Sequence, residues 1–335
     1  MSKRKLSRKQ TWRAQKIQEE RIERAKKKQN ILDLEGSGLG SEQTGRVIAS
    51  YGVSFIVEDN MQEKVTCLAR QNLGSIVVGD LIVWQRIDED NGVITAVKPR
   101  KSLLERPNFN GNTKSVAANI DQIIIVNSPL PQLQTILIDR YLVAVELNNI
   151  KPRIAINKID MLSKEQMQDL KQILQAYEDI GYEILYYSTK TQKGMRQLED
   201  VLNHQVSILV GQSGVGKSST VKALLPNIDI QIGELSKNNR LGKHTTSTSQ
   251  LYHLATGGDI IDSPGVRDFG LWHLPPEHIS EGFIEFREYL GKCKFSNCTH
   301  KNEPECAIIE AVKANKIAQS RWSNYCEIHS ALVNQ

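Results

Sequence analysis

The sequence predicts three folding units in series: a five-stranded β-barrel, a parallel α/β domain and a short helical module closed around a cysteine–histidine cluster. Three observations carry this prediction. Five short β runs, separated by turn residues, occupy residues 44–97. From residue 121 onward, apolar runs ending in polar or glycine-rich loops alternate with helical segments. Three cysteines and one histidine then crowd into residues 293–306. The pattern shifts divide the chain into a basic tail and linker over 1–40, the barrel over 41–99, the α/β domain over 100–275 and the cysteine-containing module over 276–335.

Residues 1–30 hold 12 Lys/Arg and 3 Glu, a formal +9 in a chain whose total is +5, so residues 31–335 carry −4. Basic character is thus a property of the tail. Such a segment is expected to be disordered in isolation and drawn to phosphate. Its apolar residues Trp12, Ile17 and Ile22 form too thin a face for a membrane anchor. After a Gly/Ser linker at 36–41 the period becomes that of strands: Thr44–Ile48, Ser54–Glu58, Lys64–Leu68, Asp80–Trp84 and Gly92–Val97. Five strands of this size make an OB-fold the most economical closed barrel. Such barrels often hold single-stranded nucleic acid, so RNA contact is expected here, although fold alone does not establish it.

Asp121–Asn127 opens the α/β sheet, and a helix over Leu137–Leu147 leads to a strand at Lys151–Ile156. Asn157-Lys158-Ile159-Asp160 stands at the C-terminal end of that strand, the end where open α/β sheets bind ligands. An aspartate there can accept both N1–H and the 2-amino group of guanine. Adenine offers neither donor, and the unpaired carboxylate would penalise ATP. Asn157 would bind the base edge or brace the loop, and the Lys158 stem would cover the base. Tyr182–Tyr187 reads as a further strand, leading to Ser188, Thr189 and Lys190 as a small-residue loop behind the base.

Gln205–Val210 reads as a buried strand that runs into Gly211-Gln212-Ser213-Gly214-Val215-Gly216-Lys217-Ser218, followed by Ser219 and a helical Thr220–Leu225. This is the strand–loop–helix setting that a phosphate-binding loop requires. Its glycines let backbone N–H groups turn toward phosphate oxygens, and the helix N-terminus adds partial positive charge. Lys217 should reach the β and γ phosphates, and the Ser218 hydroxyl should bind Mg2+. Asp262-Ser263-Pro264-Gly265, after a short strand at Asp259–Ile261, supplies the rest of the phosphate side. Asp262 would hold Mg2+ through water, and the Gly265 N–H would meet the γ-phosphate. Gly242–Thr248 between these motifs is a polar stretch suited to a switch, with Thr245 or Thr246 closing on Mg2+. Many GTPases place a water-orienting glutamine just after the glycine of the second motif. Here that position is Val266, and His244, able to move a proton near neutral pH, is the expected water-positioning residue. The guanine-reading loop precedes the phosphate loop, the reverse of the usual order, which points to a circularly permuted GTPase.

Cys293, Cys298, His300 and Cys306 have the composition of a closed, structural zinc site with no position left for water. The residues between them are too polar for a core. Cys67 and Cys326 stand alone and read as ordinary buried or half-buried residues. Helices are expected over Glu277–Leu290, with a stripe of Ile279, Phe283, Phe286 and Leu290, and over Ala307–Lys316 and Gln319–Val333. Lys292, Lys294, Lys301 and Lys313 leave RNA contact open for this module. Five cysteines, no apolar signal segment and no run of 18 apolar residues indicate a soluble cytosolic chain without structural disulfides.

In the order N-K-x-D, G-Q-S-G-V-G-K-S, G-K-H-T-T, D-S-P-G-V-R-D-F-G and C-x4-C-x-H-x5-C, the chain resembles the RsgA (YjeQ) family of circularly permuted GTPases. The similarity covers essentially the whole sequence. It implies GTP hydrolysis to GDP stimulated by the small ribosomal subunit, a role in late maturation of that subunit with its 16S rRNA, and zinc on Cys293, Cys298, His300 and Cys306. The family's guanine loop matches at Asn157, Lys158 and Asp160, its phosphate loop at Gly211–Ser219 and its switch histidine at His244. A monomer in solution is expected. Two other classes share part of the pattern: a kinase acting on a metabolite, which would need a small-molecule pocket and lid, and an RNA-binding module with incidental hydrolysis.

Overall fold

The computed structural model describes residues 39–71, 73–107, 113–130, 132–226, 249–263 and 276–333. The basic tail expected over residues 1–40 therefore falls almost wholly outside the described residues. Strands β1 (Glu42–Ser50), β2 (Ser54–Asp59), β3 (Lys64–Ala69), β4 (Leu81–Arg86) and β5 (Asn91–Val97) pair in the order β1-β2-β3-β5-β4, and β4 returns to β1. The barrel is closed, as the spacing of the β runs predicts. β3 shows the alternation that builds it: Val65 and Cys67 are buried, while Lys64 and Thr66 face water. Trp84 is fully buried at the centre. There is room for it because Gly92 carries no side chain; a Cβ there would lie 2.7 Å from the indole ring. Asp80, expected as the first residue of β4, instead precedes it as a fully buried carboxylate. It accepts from the Val77 N–H at 2.8 Å and from Arg100 Nε and Nη2 at 2.7 and 2.8 Å. A buried carboxylate needs such donors, and a strand position would not have offered them.

A hairpin of β6 (Leu103–Pro107) and β7 (Thr113–Ala118) follows the barrel. The second sheet is then built from β8 (Gln122–Asn127), β9 (Lys151–Ile156), β10 (Ile184–Tyr186), β11 (Val206–Val210), β12 (Ser249–His253) and β13 (Asp259–Asp262). Its order is β10-β9-β8-β11-β13-β12, parallel except for β12. All six residues of β8 are buried, as expected for a central parallel strand covered on both faces. Four helices accompany the sheet: α1 (Thr135–Leu147), α2 (Lys164–Glu178), α3 (Met195–Leu202) and α4 (Lys217–Leu224). α2 begins on a capping box in which Ser163 and Gln166 satisfy each other's backbone N–H groups. The hairpin, β12, α2 and α3 have no counterpart in the sequence-based expectation. β12 also pairs with β1, at Ala49↔Gln250 and Ser50↔Ser249, so the barrel and the parallel sheet are continuous.

The helix expected over residues 277–290 is not α-helical. The chain forms 3-10 turns at Pro276–Gly282 and Ile284–Phe286, separated by Phe283 in an extended conformation. Gly282 explains the break. It lies against α1, where a Cβ would be 2.6 Å from Val143 Cγ1, and a glycine inside a helix weakens it. The apolar residues Ile279, Phe283 and Phe286 are nevertheless fully buried. α5 (Ala307–Lys313) and α6 (Gln319–Val333) close the module. Cys67 is buried and Cys326 half-buried, as read from the sequence. No helix among the described residues is long and apolar enough to cross a membrane.

The C-terminal module shares one hydrophobic core with the parallel sheet rather than standing apart. Arg321 of α6 is 1% exposed and is the ionic centre of that junction. It donates from Nη1 to Asp139 of α1, and from Nε and Nη2 to Glu285 at 2.7 and 3.0 Å. Asn324 Nδ2 reaches the other Asp139 oxygen at 2.6 Å. Burial disfavours the Arg321 charge, but Asp139 and Glu285 outweigh it and hold the guanidinium protonated well above its ordinary range. Phe283 and Tyr177 cover its faces, with ring centroids 4.6 and 5.1 Å from the guanidinium carbon. Removing Asp139 leaves Arg321 Nη1 and the Asn324 amide without their buried acceptor, although Glu285 stays on the guanidinium. Asp139→Ala should therefore lower unfolding stability by about 3–5 kcal/mol in chemical denaturation. Lys313→Ala, on an exposed pair with Glu310, should stay within about 0.5 kcal/mol of the parent.

Candidate nucleotide and metal sites

Asn157, Ser188, Gly211 and Asp262 stand at or just beyond the carboxyl ends of β9, β10, β11 and β13, which lie in one run of the parallel sheet. The topology therefore brings the guanine-type and phosphate-type motifs to a single edge. The loop after β11 turns back over that edge, and two of its glycines are dictated by backbone geometry. Gly211 has φ +138°, and a Cβ there would run into the Val126 carbonyl oxygen. Gly216 has φ +99°, and a Cβ there would occupy the place of Asn157 Nδ2. Any larger residue would push the two loops apart.

Asn157 is fully buried and joins both motifs. Its Nδ2 donates to the Val215 carbonyl at 3.1 Å, while its Oδ1 accepts from the Lys158 N–H at 2.7 Å and the Thr189 N–H at 3.4 Å. Of the two sequence-based alternatives for Asn157, base edge or loop brace, the contacts are those of a brace. Lys158 adopts the left-handed conformation, φ +62°, and its Nζ donates to the Gly214 carbonyl at 2.6 Å. Asp160 is exposed and accepts from the buried Ser188 hydroxyl at 2.5 Å. The hydroxyl also accepts from the Thr191 N–H at 3.1 Å. The Thr191 N–H thus fixes the hydroxyl, and the hydroxyl holds one carboxylate oxygen, on an aspartate that remains exposed.

On the phosphate side Lys217 begins α4 and bends back, donating to the Gly211 and Gln212 carbonyls at 2.5 and 2.6 Å. Lys217, Ser218, Asp262 and Ser263 line one small cleft. Gln212, Ser213, Gly214, Ser218 and Ser219 are exposed along the loop, and Val215 is buried beneath it. A cleft with an ammonium, a hydroxyl and a carboxylate suits a phosphate and a hard divalent cation. His244, Thr245, Thr246, Gly265 and Val266 lie outside the described residues.

Sequence reasoning missed one support. Tyr187 is fully buried and its hydroxyl lies 2.9 Å from Thr220 Oγ1, which itself donates to the Gly216 carbonyl at 2.9 Å. This ties the end of β10 to α4. The only signal was the position of Tyr187, the last residue of an apolar run and directly before Ser188.

The second site lies in the C-terminal module. Cys293 Sγ is 3.8 Å from Cys306 Sγ, and each of these sulfurs is 3.5 Å from His300 Nδ1. All four ligand atoms, Cys298 included, lie within 4.8 Å of one another. A tetrahedral ion with sulfur at about 2.3 Å and nitrogen at about 2.0 Å has edges of about 3.8 and 3.5 Å. The donor set therefore fits a metal ion. Burial pushes the Cys298 thiol up to about 12 and the His300 imidazole down. The imidazole is thus neutral, the form that ligates, whereas a bound cation would have to displace the thiol protons. Glu303 organises the intervening loop. Its carboxylate accepts from the Thr299 N–H at 2.9 Å, the Lys301 N–H at 3.0 Å and the Asn302 N–H at 3.2 Å, and from the Thr299 hydroxyl. Burial raises its pKa, but these donors outweigh burial and hold the group down at about 2. Trp322 Nε1 and the Tyr325 hydroxyl fasten the loop to α6 through the His300 and Thr299 carbonyls, both at 2.8 Å.

Comparisons with known proteins agree with this geometry. Residues 97–272 match the model of the family described as RsgA GTPase. A protein from Hahella chejuensis named small ribosomal subunit biogenesis GTPase RsgA is 46% identical, over 100% of this chain and 98% of its own. A Haemophilus influenzae protein of the same name is 45% identical over 99% of this chain and 96% of its own. Among solved structures, YjeQ from Thermotoga maritima superposes with a TM-score of 0.73 and 33% identity, covering 88% of this chain and 100% of that one. YloQ, described as a circularly permuted GTPase, gives a TM-score of 0.70 and 26% identity, covering 88% of this chain and 96% of that one.

The Glu303 loop should control metal retention. Its pKa is depressed on folding, so its contribution is full above the ordinary glutamate value and is lost only as pH falls through about 2. Glu303→Gln should release bound metal to a chelator at neutral pH roughly tenfold faster or more, with the rest of the fold unchanged by circular dichroism.

Proposed function

The chain belongs to the RsgA family of GTPases, and we propose that its GTP hydrolysis serves late maturation of the small ribosomal subunit and is stimulated by that subunit. The observation that supports this reading is the meeting of four motifs at one sheet edge, joined by Asn157, in a chain similar along its length to proteins named for small-subunit biogenesis.

In this reading Asp160 accepts N1–H and the 2-amino group of guanine, and Lys158 covers the base. Gly211–Ser219 cradle the phosphates through backbone N–H groups, and Lys217 leaves the loop carbonyls to meet the β and γ phosphates. Ser218, Asp262 through water, and Thr245 or Thr246 hold Mg2+. Bound there, the ion would neutralise charge developing between the β and γ phosphates. Gly265 offers its N–H to the γ-phosphate, and His244 orients the attacking water. Zinc is the metal we assign to Cys293, Cys298, His300 and Cys306, because three thiolates and an imidazole suit it and leave no open position. Its role is to hold the module in shape.

Contacts with 16S rRNA are assigned to the barrel over 41–99, the module over 276–335 and the basic tail over 1–40. One barrel groove is unsuited to RNA: Asp59, Glu63, Asp88 and Glu89 line it around Arg86. A phosphate backbone would be repelled there. The protein is placed in the cytoplasm, as a monomer in solution, off the membrane.

The deciding experiment is GTP turnover by the protein alone, with small subunits and with large subunits. Stimulation of about tenfold or more by small subunits only is expected, a loss of at least 1.4 kcal/mol from the barrier. Equal rates in all three would remove the ribosomal gate, and a His244→Ala protein with the parent's stimulated rate would remove that residue's role. Asp160→Asn tests the base. It loses two charge-assisted acceptors, so GTP affinity should fall about 100-fold. Xanthosine triphosphate, with a carbonyl in place of the 2-amino group, should gain relative to GTP in the same competition assay.

A further inference from the structure

The seam between the barrel and the parallel sheet holds a charged cluster that none of the roles above uses. His253, the last residue of β12, lies between two carboxylates from opposite sides of the seam. Its Nδ1 is 2.6 Å from Asp259 Oδ1 on β13, and its Nε2 is 2.6 Å from Glu58 Oε2 on β2 of the barrel. Arg46 of β1 donates from Nη1 to the other Asp259 oxygen at 2.6 Å. The Glu58 and Asp259 side chains are only 9% and 12% exposed, whereas the imidazole is 45% exposed. A carboxylate accepts and does not donate. Filling both contacts therefore takes a donor on each ring nitrogen, which only the imidazolium has. The charged groups facing the ring are Glu58 from β2, Asp259 from β13 and Arg46 from β1. The bond to Asp259 raises the imidazole pKa, burial opposes the rise and Glu58 adds to it. Burial pulls the Asp259 carboxyl upward, but His253 and Arg46 outweigh it and hold it below its ordinary value.

The position of this cluster gives it reach. β12 and β13 form one short ladder, with His253 opposite Asp259 at one end and Gln250 opposite Asp262 at the other. The barrel grips the first end through Glu58 and Arg46, and the second end carries the carboxylate that faces Lys217 and Ser218 across the cleft. We propose that His253 is a positioning residue for GTP hydrolysis: by bridging Glu58 and Asp259 it locks the barrel to the β12–β13 ladder and thereby sets the place of Asp262. The bridge also makes the lock dependent on a proton. Because the imidazole pKa is raised in the folded protein, the bridge is complete below the ordinary imidazole value of about 6.5 and is lost as pH rises through the raised value.

The functional readout rests on the assignment of Asp262 to the magnesium side, so the test includes one that does not. The full chain is assayed for the Mg2+ concentration giving half-maximal intrinsic GTP turnover, and for amide hydrogen exchange over β12 and β13. At about pH 6, below the ordinary imidazole value, Glu58→Ala should raise the required Mg2+ roughly two- to fivefold. It should also speed exchange along the ladder while GDP affinity stays unchanged. At a pH above the midpoint at which the parent itself loses the bridge, located from the parent's own pH profile of ladder exchange, parent and variant should converge. Glu58→Gln keeps an acceptor for Nε2–H and should fall between them. Glu58→Ala indistinguishable from the parent at the lower pH in both readouts would overturn the proposal, as would a difference that persists undiminished at the higher pH. Asp262→Asn separates the two layers: if it leaves the Mg2+ requirement unchanged, the magnesium assignment fails and the exchange result alone decides. If Glu58→Ala fails to bind GDP, Glu58→Gln decides by the same two readouts.

Discussion

Five neighbouring strands running in the same direction impose the condition that the site depends on. In a parallel run every carboxyl end emerges at the same edge, so a loop's place is decided by which strand it follows and not by its place in the chain. β9 precedes β11 by about 50 residues, yet their loops meet because β8 alone separates them in the sheet. Permuting the chain therefore costs the site nothing as long as strand order and register survive. What must be added is a connection between the two loops, and the buried Asn157 amide supplies it. The glycine at 216 is the matching half of that contact, since a side chain there would displace the amide.

The same permutation places the Asp262 strand late in the chain, next to the cysteine–histidine module in sequence. That module is not an appendage. Its aromatic cluster of Phe283, Phe286 and Tyr325, with ring centroids 5.0–5.5 Å apart, packs into the core that α1 closes. Arg321 gives the junction a fixed geometry because a buried guanidinium must keep all its acceptors. The barrel is attached by backbone pairing of β1 with β12, by Ile48 of β1 in the same core cluster, and by part-buried charges such as Arg46 with Asp259. Both neighbours thus share core with the sheet, and the barrel adds a continuous strand pairing to it.

Much of this was legible in the sequence, for definable reasons. Loops built for a phosphate or a base need particular residues at fixed spacing, so Asn157–Asp160, Gly211–Ser219 and Asp262 stood out in the sequence, and the structure brings them to one sheet edge. The barrel strands were legible because half-buried strands alternate. β12 was not, because Ser249–His253 carries three polar residues in five and is specified by its neighbours on both sides. The helix expected across Gly282 failed because an apolar stripe of period near 3.6 does not reveal that a backbone must come within van der Waals reach of Val143. Contacts such as Tyr187 with Thr220, or His253 with Glu58, join residues 33 and 195 positions apart and leave no local trace.

The ion pair between Asp139 and Arg321 spans 182 residues, and this has a consequence for how the chain folds during synthesis. Contacts of the barrel are nearly all confined to residues 42–97, so it can assemble as soon as it leaves the translating ribosome. α1 follows early, but the guanidinium that neutralises its buried aspartate is made only when α6 is translated. Until then seating α1 buries Asp139 without its cationic partner, which is costly, and closing that long loop is a late, entropically slow event. A nascent chain is therefore expected to hold a finished barrel beside an unfinished nucleotide-binding sheet, so that the hydrolytic machinery is assembled only after the C-terminal helix has emerged.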